Sequence, residues 1–370
     1  MLIDTTVARR APLSGPGIYV SRLCEALEVQ HGVQVLRTEN PRSAAGRGGL
    51  QAVRGLAGEV WWTHQELPRR ARRERADLIH HPHPVRIPQD PGIPQVLTVH
   101  DLAFERRPSD FDRGFRAYAH LTHRSSAQAA RVLIAVSRTT AEDARELWGI
   151  PAERIVVAHH GPGQSLRTGG AAGRAGGAAG RAGGPGGAGG AGGAGGARGR
   201  GRYFLYVGPE EPRKDLETLL NAYSRYRLGA GERPAELLLA GSARGVAAPG
   251  VRREADPDAN RLGQLYAGAL ALVHPARYEG FGLTLLEAMA LRVPVVAARS
   301  PAVAEVADDA ALLVDPGDPV GLGEALVRVA SEPALRARLS ARGRERSSGF
   351  SWTRSAQRHL EAYSLALAAA

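Results

Sequence analysis

Apart from Thr168 and Pro185, residues 168–202 are Gly, Ala and Arg, and a segment with no large apolar side chain adds nothing to a core. It cuts the 370-residue chain into two stretches that must each bury their own apolar surface, and this length already favours two domains. A Gly-rich coil of about 35 residues spans on the order of 30–35 Å, enough to join two bodies without setting their orientation. Arg174, Arg181, Arg198, Arg200 and Arg202 lie among the glycines with no aromatic residue to stack on bases. The composition therefore fits a linker better than a nucleic-acid tail.

On either side, short apolar runs alternate with helical patterns. The runs are Ala76–His80, Gln95–His100, Arg131–Ser137 and Arg154–His159 before the linker, and Tyr203–Gly208, Glu236–Gly241, Ala269–His274 and Val293–Ala298 after it. Amphipathic stretches such as Asp215–Tyr226 and Leu283–Leu291 separate most of them. Strand–helix–strand alternation predicts an α/β fold of two doubly wound, Rossmann-like domains, each with a parallel sheet covered on both faces. Ligands of such sheets bind beyond the carboxyl ends of the strands. One interval breaks the pattern: between Gly241 and Val251 there are too few residues for a helical crossover. Either the second domain lacks a helix there or Val251 does not begin a strand.

Composition narrows the function. No apolar run approaches the roughly 18 residues of a membrane span, and Met1-Leu2-Ile3-Asp4 has no signal pattern. A lone cysteine, Cys24, excludes an intrachain disulfide or a cysteine zinc cluster. The cytoplasm is the expected location. A net charge of +11 points to an anionic partner.

The most informative segment is Tyr278-Glu279-Gly280-Phe281-Gly282-Leu283-Thr284-Leu285-Leu286-Glu287, between the run ending at His274 and a helix. Glycines at a strand-to-helix turn let backbone amides approach a ligand, and the helix start offers free N–H groups that suit a phosphate. Carboxylates beside a diphosphate serve hydroxyls, which suggests Glu287 for a ribose and Glu279 for a sugar. Glutamates also simply stabilise helix starts, and at this point both readings stand. The second segment runs from Tyr203 through Gly208 to Arg213-Lys214, where two cations open the helix near Asp215. Cations there are unfavourable by about 0.3–1 kcal/mol each, so an anion should compensate. Lys214 is the single lysine among 48 basic residues, and an ammonium donates differently from a guanidinium.

In the first half, Gly15-Pro16-Gly17 precedes the helix Tyr19–Leu27 and has room to pass a phosphate. His100 ends the run Gln95–Val99 on the ligand side; it fits a sugar contact, and equally a strand-end histidine bonded to backbone. His80, His81 and His83 resemble metal ligands, but prolines at 82 and 84 hold the path extended and no fourth ligand is evident, so no metal is expected. Residues 42–75 carry eight arginines against three glutamates, beside Trp61 and Trp62. That composition fits peripheral contact with an anionic membrane as well as it fits a solvated helix face.

These motifs resemble those of the retaining glycosyltransferase family 4, with its two-domain GT-B fold. The resemblance covers nearly the whole chain except the linker, and rests mainly on Tyr206–Lys214, His274–Gly282 and Glu287–Ala290. It implies an acceptor domain over 1–167, the linker 168–202, a donor domain over 203–349, and a final segment 350–370 crossing back to the first domain. The paired glutamates match Glu279 and Glu287, the basic pair at the donor diphosphate Arg213 and Lys214, and the active-site histidine His100. The implied activity is metal-independent transfer of a hexose with retention. The nucleotide-sugar donor, in closest detail GDP-mannose, is a co-substrate, and the acceptor is a glycan, lipid-linked or small molecule. No further cofactor is implied. A GT-B sugar-nucleotide epimerase, or a catalytically weakened nucleotide-sugar-binding protein, would share the fold. Ile18, Thr284, Leu291-Arg292, Ala304 and the short stretch 241–251 depart from the family pattern.

Overall fold

The computed structural model describes residues 1–30, 32–42, 49–163, 203–241 and 248–368, with side chains of 49–54 left aside. The predicted linker 168–202 lies outside the described residues. Two six-stranded sheets account for the strands, and every pairing in both is parallel.

The first sheet contains β1 (Leu2–Asp4), β2 (Leu36–Thr38), β3 (Ile79–His81), β4 (Gln95–Val99), β5 (Val132–Ala135) and β6 (Ile155–Val157), in the order β2-β1-β3-β4-β5-β6. The second contains β7 (Tyr203–Val207), β8 (Glu236–Ala240), β9 (Val251–Glu254), β10 (Ala269–His274), β11 (Val295–Ala298) and β12 (Leu312–Val314), in the order β12-β11-β10-β7-β8-β9. Val251 therefore begins a strand, parallel to β8 with Leu237 opposite it. Most of the interval between them, 242–247, lies outside the described residues. Helices cover both faces of each sheet, so a central strand such as β10 is buried at all six positions.

The helix Trp352–Ala368 packs on the first sheet, against β4, β5, β6 and the helix Gly15–Glu28. A buried polar chain holds it. Tyr363 Oη lies 2.9 Å from His80 Nδ1, His80 Nε2 2.9 Å from Thr98 Oγ1, Thr98 Oγ1 2.8 Å from Tyr19 Oη, and Tyr19 Oη 2.8 Å from His359 Nε2. His359 Nδ1 faces the Ser355 carbonyl at 2.7 Å and must donate to it. That donation orders every proton in the chain. Tyr19 donates to His359, Thr98 to Tyr19, His80 to Thr98 and Tyr363 to His80, with both imidazoles neutral. His80 is thus committed to packing, and His81 Nε2 lies 3.0 Å from Gln95 Oε1. Among the described residues no group of three or more His, Cys, Asp or Glu is arranged to hold a metal ion.

The tryptophans of the 42–75 segment turn inward. Trp62 is buried and donates its Nε1 hydrogen to Asp4 at 2.7 Å, while Arg42 lies 3.7 Å over the Trp61 ring. Arg69, Arg72, Arg73 and Arg75 remain exposed. No described helix is long and apolar enough to cross a membrane.

Candidate functional site

In the second sheet the strand order reverses between β7 and β10. Chains leaving the carboxyl ends of two such strands diverge to opposite faces and open a crevice between them. The two loops bordering that crevice are the segments beyond Gly208 and beyond His274.

The first loop differs in detail from the helix start expected for it. Gly208 (φ +153°) extends the β7–β8 ladder through its amide to the Ala240 carbonyl at 3.0 Å. Pro212–Lys214 forms one short turn, Asp215 adopts φ +53°, and the helix begins only at Leu216. The left-handed residue redirects the chain, so Arg213 and Lys214 stand before the helix and not in its first turn. Their compensating anion is a side chain. Lys214 Nζ donates to Glu279 Oε1, while Arg213 Nη1 lies 3.5 Å from Glu279 Oε2 and its Nη2 2.9 Å from Glu211.

Glu279, 8% exposed, is the centre of the cluster, and His274 Nε2 lies 3.1 Å from its Oε1. Burial works to raise the Glu279 pKa, but Lys214 above all, then His274 and Arg213, outweigh it and hold the carboxyl well below the usual range. Burial lowers the His274 pKa, with Lys214 and Arg213 adding to the effect against Glu279's opposing pull. His274 thus stands within 3.1 Å of the carboxylate as a mainly electrostatic neighbour, its Nε2 making no hydrogen bond of good geometry. Arg213 is half-buried, which alone would lower its pKa; Glu279, Asp101 and Glu211 instead raise it. His274 extends the site beyond the residues singled out from sequence, although it ends a strand just as His100 does.

At Gly280 the opposite domain leaves no room for a side chain. A Cβ there would fall 1.8 Å from the His100 carbonyl oxygen and 2.9 Å from Asp101 Cβ. The glycine lets this loop touch the end of β4 in the opposite domain. Gly282 (φ +104°) precedes the helix Leu283–Ala290 and no side chain caps its first amides. Glu287, 4% exposed, accepts from Tyr266 Oη at 2.9 Å, and a Cβ on Gly163 would lie 2.1 Å from its Oε1. The segment leaving the first domain therefore lies directly against this carboxylate.

Across the seam, His100 Nε2 donates to the Pro82 carbonyl at 2.9 Å, leaving Nδ1 unprotonated. Burial first, with His83 adding, lowers the His100 pKa to about 4 against opposing contributions from the Pro82 bond and Asp101. Near neutral pH this group is an acceptor and not an acid. Gly17 has its amide hydrogen taken by Ser14 Oγ at 3.1 Å, and a Cβ there would strike the Ala11 carbonyl at 2.1 Å. The helix starts earlier than expected, at Gly15, with Ser14 as its cap. Gly15 itself faces Leu283, whose Cδ1 would sit 3.9 Å from a Cβ there. The Phe281 ring packs among His159, His160 and Phe350, with centroids 5.9, 5.0 and 6.0 Å away, and joins an apolar cluster with Val136, Leu286 and Val306.

Two further seam contacts are invisible in sequence. Tyr278 Oη donates to Asp143 Oδ2 at 2.6 Å. Glu305 accepts the amides of Arg138 at 2.9 Å and Thr139 at 3.2 Å, and lies 2.6 Å from His159 Nε2. A carboxylate from one domain thus caps a helix of the other.

Residues 13–161 match the family described as Glycosyltransferase Family 4, and residues 201–332 the family described as Glycosyl transferases group 1. O-antigen chain mannosyltransferase B of Escherichia coli is 27% identical, over 98% of this chain and 99% of that protein. Sucrose-phosphate synthase of Thermosynechococcus elongatus superposes with a TM-score of 0.72 at 18% identity, covering 100% of this chain and 99% of the other. An Anabaena protein solved in complex with UDP-glucose superposes with a TM-score of 0.63 at 16% identity, covering 98% of each chain. The two-domain GT-B fold is shared with these two superposed structures.

Proposed function

The chain belongs to the group 1 and family 4 glycosyltransferases, and on that premise we propose that it moves mannose from GDP-mannose to a glycan, lipid-linked or small-molecule acceptor. Transfer proceeds with retention at the anomeric carbon and without a metal ion. The observation that carries the reading is the meeting of Arg213, Lys214 and His274 on Glu279 at the point where the second sheet reverses its order. Similarity along nearly the whole length of a named mannosyltransferase supports the choice of sugar.

In the proposed mechanism Arg213, Lys214 and the first amides beyond Gly280 stabilise the leaving diphosphate, whose charge grows in the transition state. Glu279 holds the two cations charged and oriented before the donor arrives, then offers its oxygens to sugar hydroxyls. Glu287 receives the ribose once the Gly163 segment yields, and His100 presents Nδ1 to the sugar or acceptor from the first domain. The reaction takes place in the cytoplasm, at the inner face of the membrane. There Arg69, Arg72, Arg73 and Arg75 meet anionic lipid through charge alone, since the neighbouring tryptophans are turned inward.

The test is a thermal-shift titration with GDP-mannose, UDP-glucose and a dTDP-sugar, followed by product analysis. A donor at 100 times its Kd stabilises the fold by about 2.7 kcal/mol, a shift that is read directly. No shift with any of the three sinks the reading. A shift with UDP-glucose alone replaces mannose and GDP while keeping the chemistry.

A further inference from the structure

The Arg277 guanidinium grips Asp215 with two bonds, Nε to Oδ2 at 2.6 Å and Nη2 to Oδ1 at 3.2 Å. Neither residue belongs to the cluster on Glu279, yet each is adjacent to it in sequence. Asp215 follows Lys214 directly, and Arg277 precedes Glu279 by two positions. The Arg277 amide also donates to the Arg213 carbonyl at 2.9 Å. The two loops are therefore joined twice, once by main chain and once by a bidentate ion pair, just outside the pair of residues that meet in the crevice.

The backbone of Asp215 makes the arrangement informative. At φ +53° glycine is the least strained occupant, and an L side chain sits there at a disadvantage. The chain nevertheless places an aspartate there, 5% exposed, and among the described residues its carboxylate is bonded by Arg277. The guanidinium itself is exposed on its outer side and passes close to Gly317 (φ +77°), where a Cβ would lie 3.3 Å from its Nη2. A planar fork held on a buried carboxylate fixes distance and orientation together, which a single contact does not.

We propose that Arg277 and Asp215 are positioning residues that set the placement of Lys214 relative to Glu279, and so the affinity of the crevice for a nucleoside diphosphate. The inference rests on the donor-site reading above. Its distinctive consequence is that Asp215→Gly separates binding from stability. Glycine relieves the left-handed backbone and offsets the lost ion pair, while the Arg213–Lys214 turn loses its registration against the Glu279 loop. Small misplacements of a binding group cost up to about 100-fold in function.

The experiment titrates GDP and GDP-mannose calorimetrically into wild type, Asp215→Gly, Arg277→Gln, the double variant and Lys214→Ala, with melting midpoints recorded without ligand. Expected are a midpoint for Asp215→Gly within a few degrees of wild type, and a GDP affinity about 10-fold weaker in each single variant. The double variant should be no weaker than either single one, because both remove the same coupling. Arg277→Lys, which keeps the charge but not the fork, should recover only part of the affinity. Wild-type affinity in Asp215→Gly, or additive losses in the double variant, overturns the positioning role while Lys214→Ala still loses binding. Unchanged binding in Lys214→Ala overturns the donor-site reading and this inference with it.

Discussion

Tyr278 of the second domain donates its hydroxyl hydrogen to the Asp143 carboxylate of the first at 2.6 Å and accepts the Leu102 amide at 3.2 Å. Asp143 is bonded in turn by Arg106 Nε at 2.7 Å. Because Tyr278 immediately precedes Glu279, the contact ties the candidate site to the opposite domain. It explains why the glycine loop lies against the end of β4.

Removing that tie should loosen closure. A hydrogen bond to a charged group contributes about 1.5–3 kcal/mol, about 10- to 100-fold in a two-state equilibrium at 1.4 kcal/mol per decade. Tyr278→Phe is expected to raise the radius of gyration of the unliganded protein in solution scattering and to raise the donor KM. Identical scattering and KM would show that the seam holds without it.

The cations on Glu279 should matter most in the reaction. Lys214→Ala is expected to lower kcat about 100-fold or more, as for loss of one preorganised transition-state donor. Glu279→Gln should lower both activity and the unliganded melting midpoint, because it leaves the half-buried Lys214 and Arg213 beside a neutral amide. Turnover within a few-fold of wild type in Lys214→Ala removes it from the mechanism.

Stability should fall on mild acidification. Burial lowers the pKa of His359 to about 4, against its bond to the Ser355 carbonyl, and lowers that of His81 to about 4 against Gln95. Between pH 6.5 and about 4 the unfolded chain binds protons that the folded chain excludes, so folded-state stability declines as pH falls through that window. Each such histidine contributes a slope on the order of 1 kcal/mol per pH unit. Urea unfolding at half-unit steps should show this slope, and His81→Gln should flatten it. A profile level from pH 7 to 4.5 would contradict neutral burial.

The proton order through Tyr363, His80, Thr98, Tyr19 and His359 predicts that Tyr363→Phe strands His80 Nδ1 without a donor in a dry site. The expected destabilisation is about 1–3 kcal/mol, measured by chemical denaturation, with kcat unchanged in the folded fraction. A neutral substitution would mean that a water molecule takes the hydroxyl's place.

Much of the second domain was legible in order along the chain. The runs at 203–208, 236–241, 269–274 and 293–298 overlap strands β7, β8, β10 and β11 because each is long enough for its apolar content to register. β1, β2 and β12 lay outside those runs although β3 and β6, which fall in runs of their own, are equally short; a neighbouring strand completes their hydrogen bonds. The motif around Glu279 identified the right loop. What the motif did not reveal is that Gly280 also makes room for the His100 carbonyl of the other domain.

Local chemistry along the chain decided the two parallel-sheet domains and the residue types gathered at their strand ends, since apolar spacing and turn residues act over a few positions. Only tertiary structure decided which groups meet. Lys214 and Glu279 lie 65 positions apart, Tyr278 and Asp143 135, and Tyr363 and His80 283. Contacts at such separations arise from strand order and domain docking, and no local propensity encodes them.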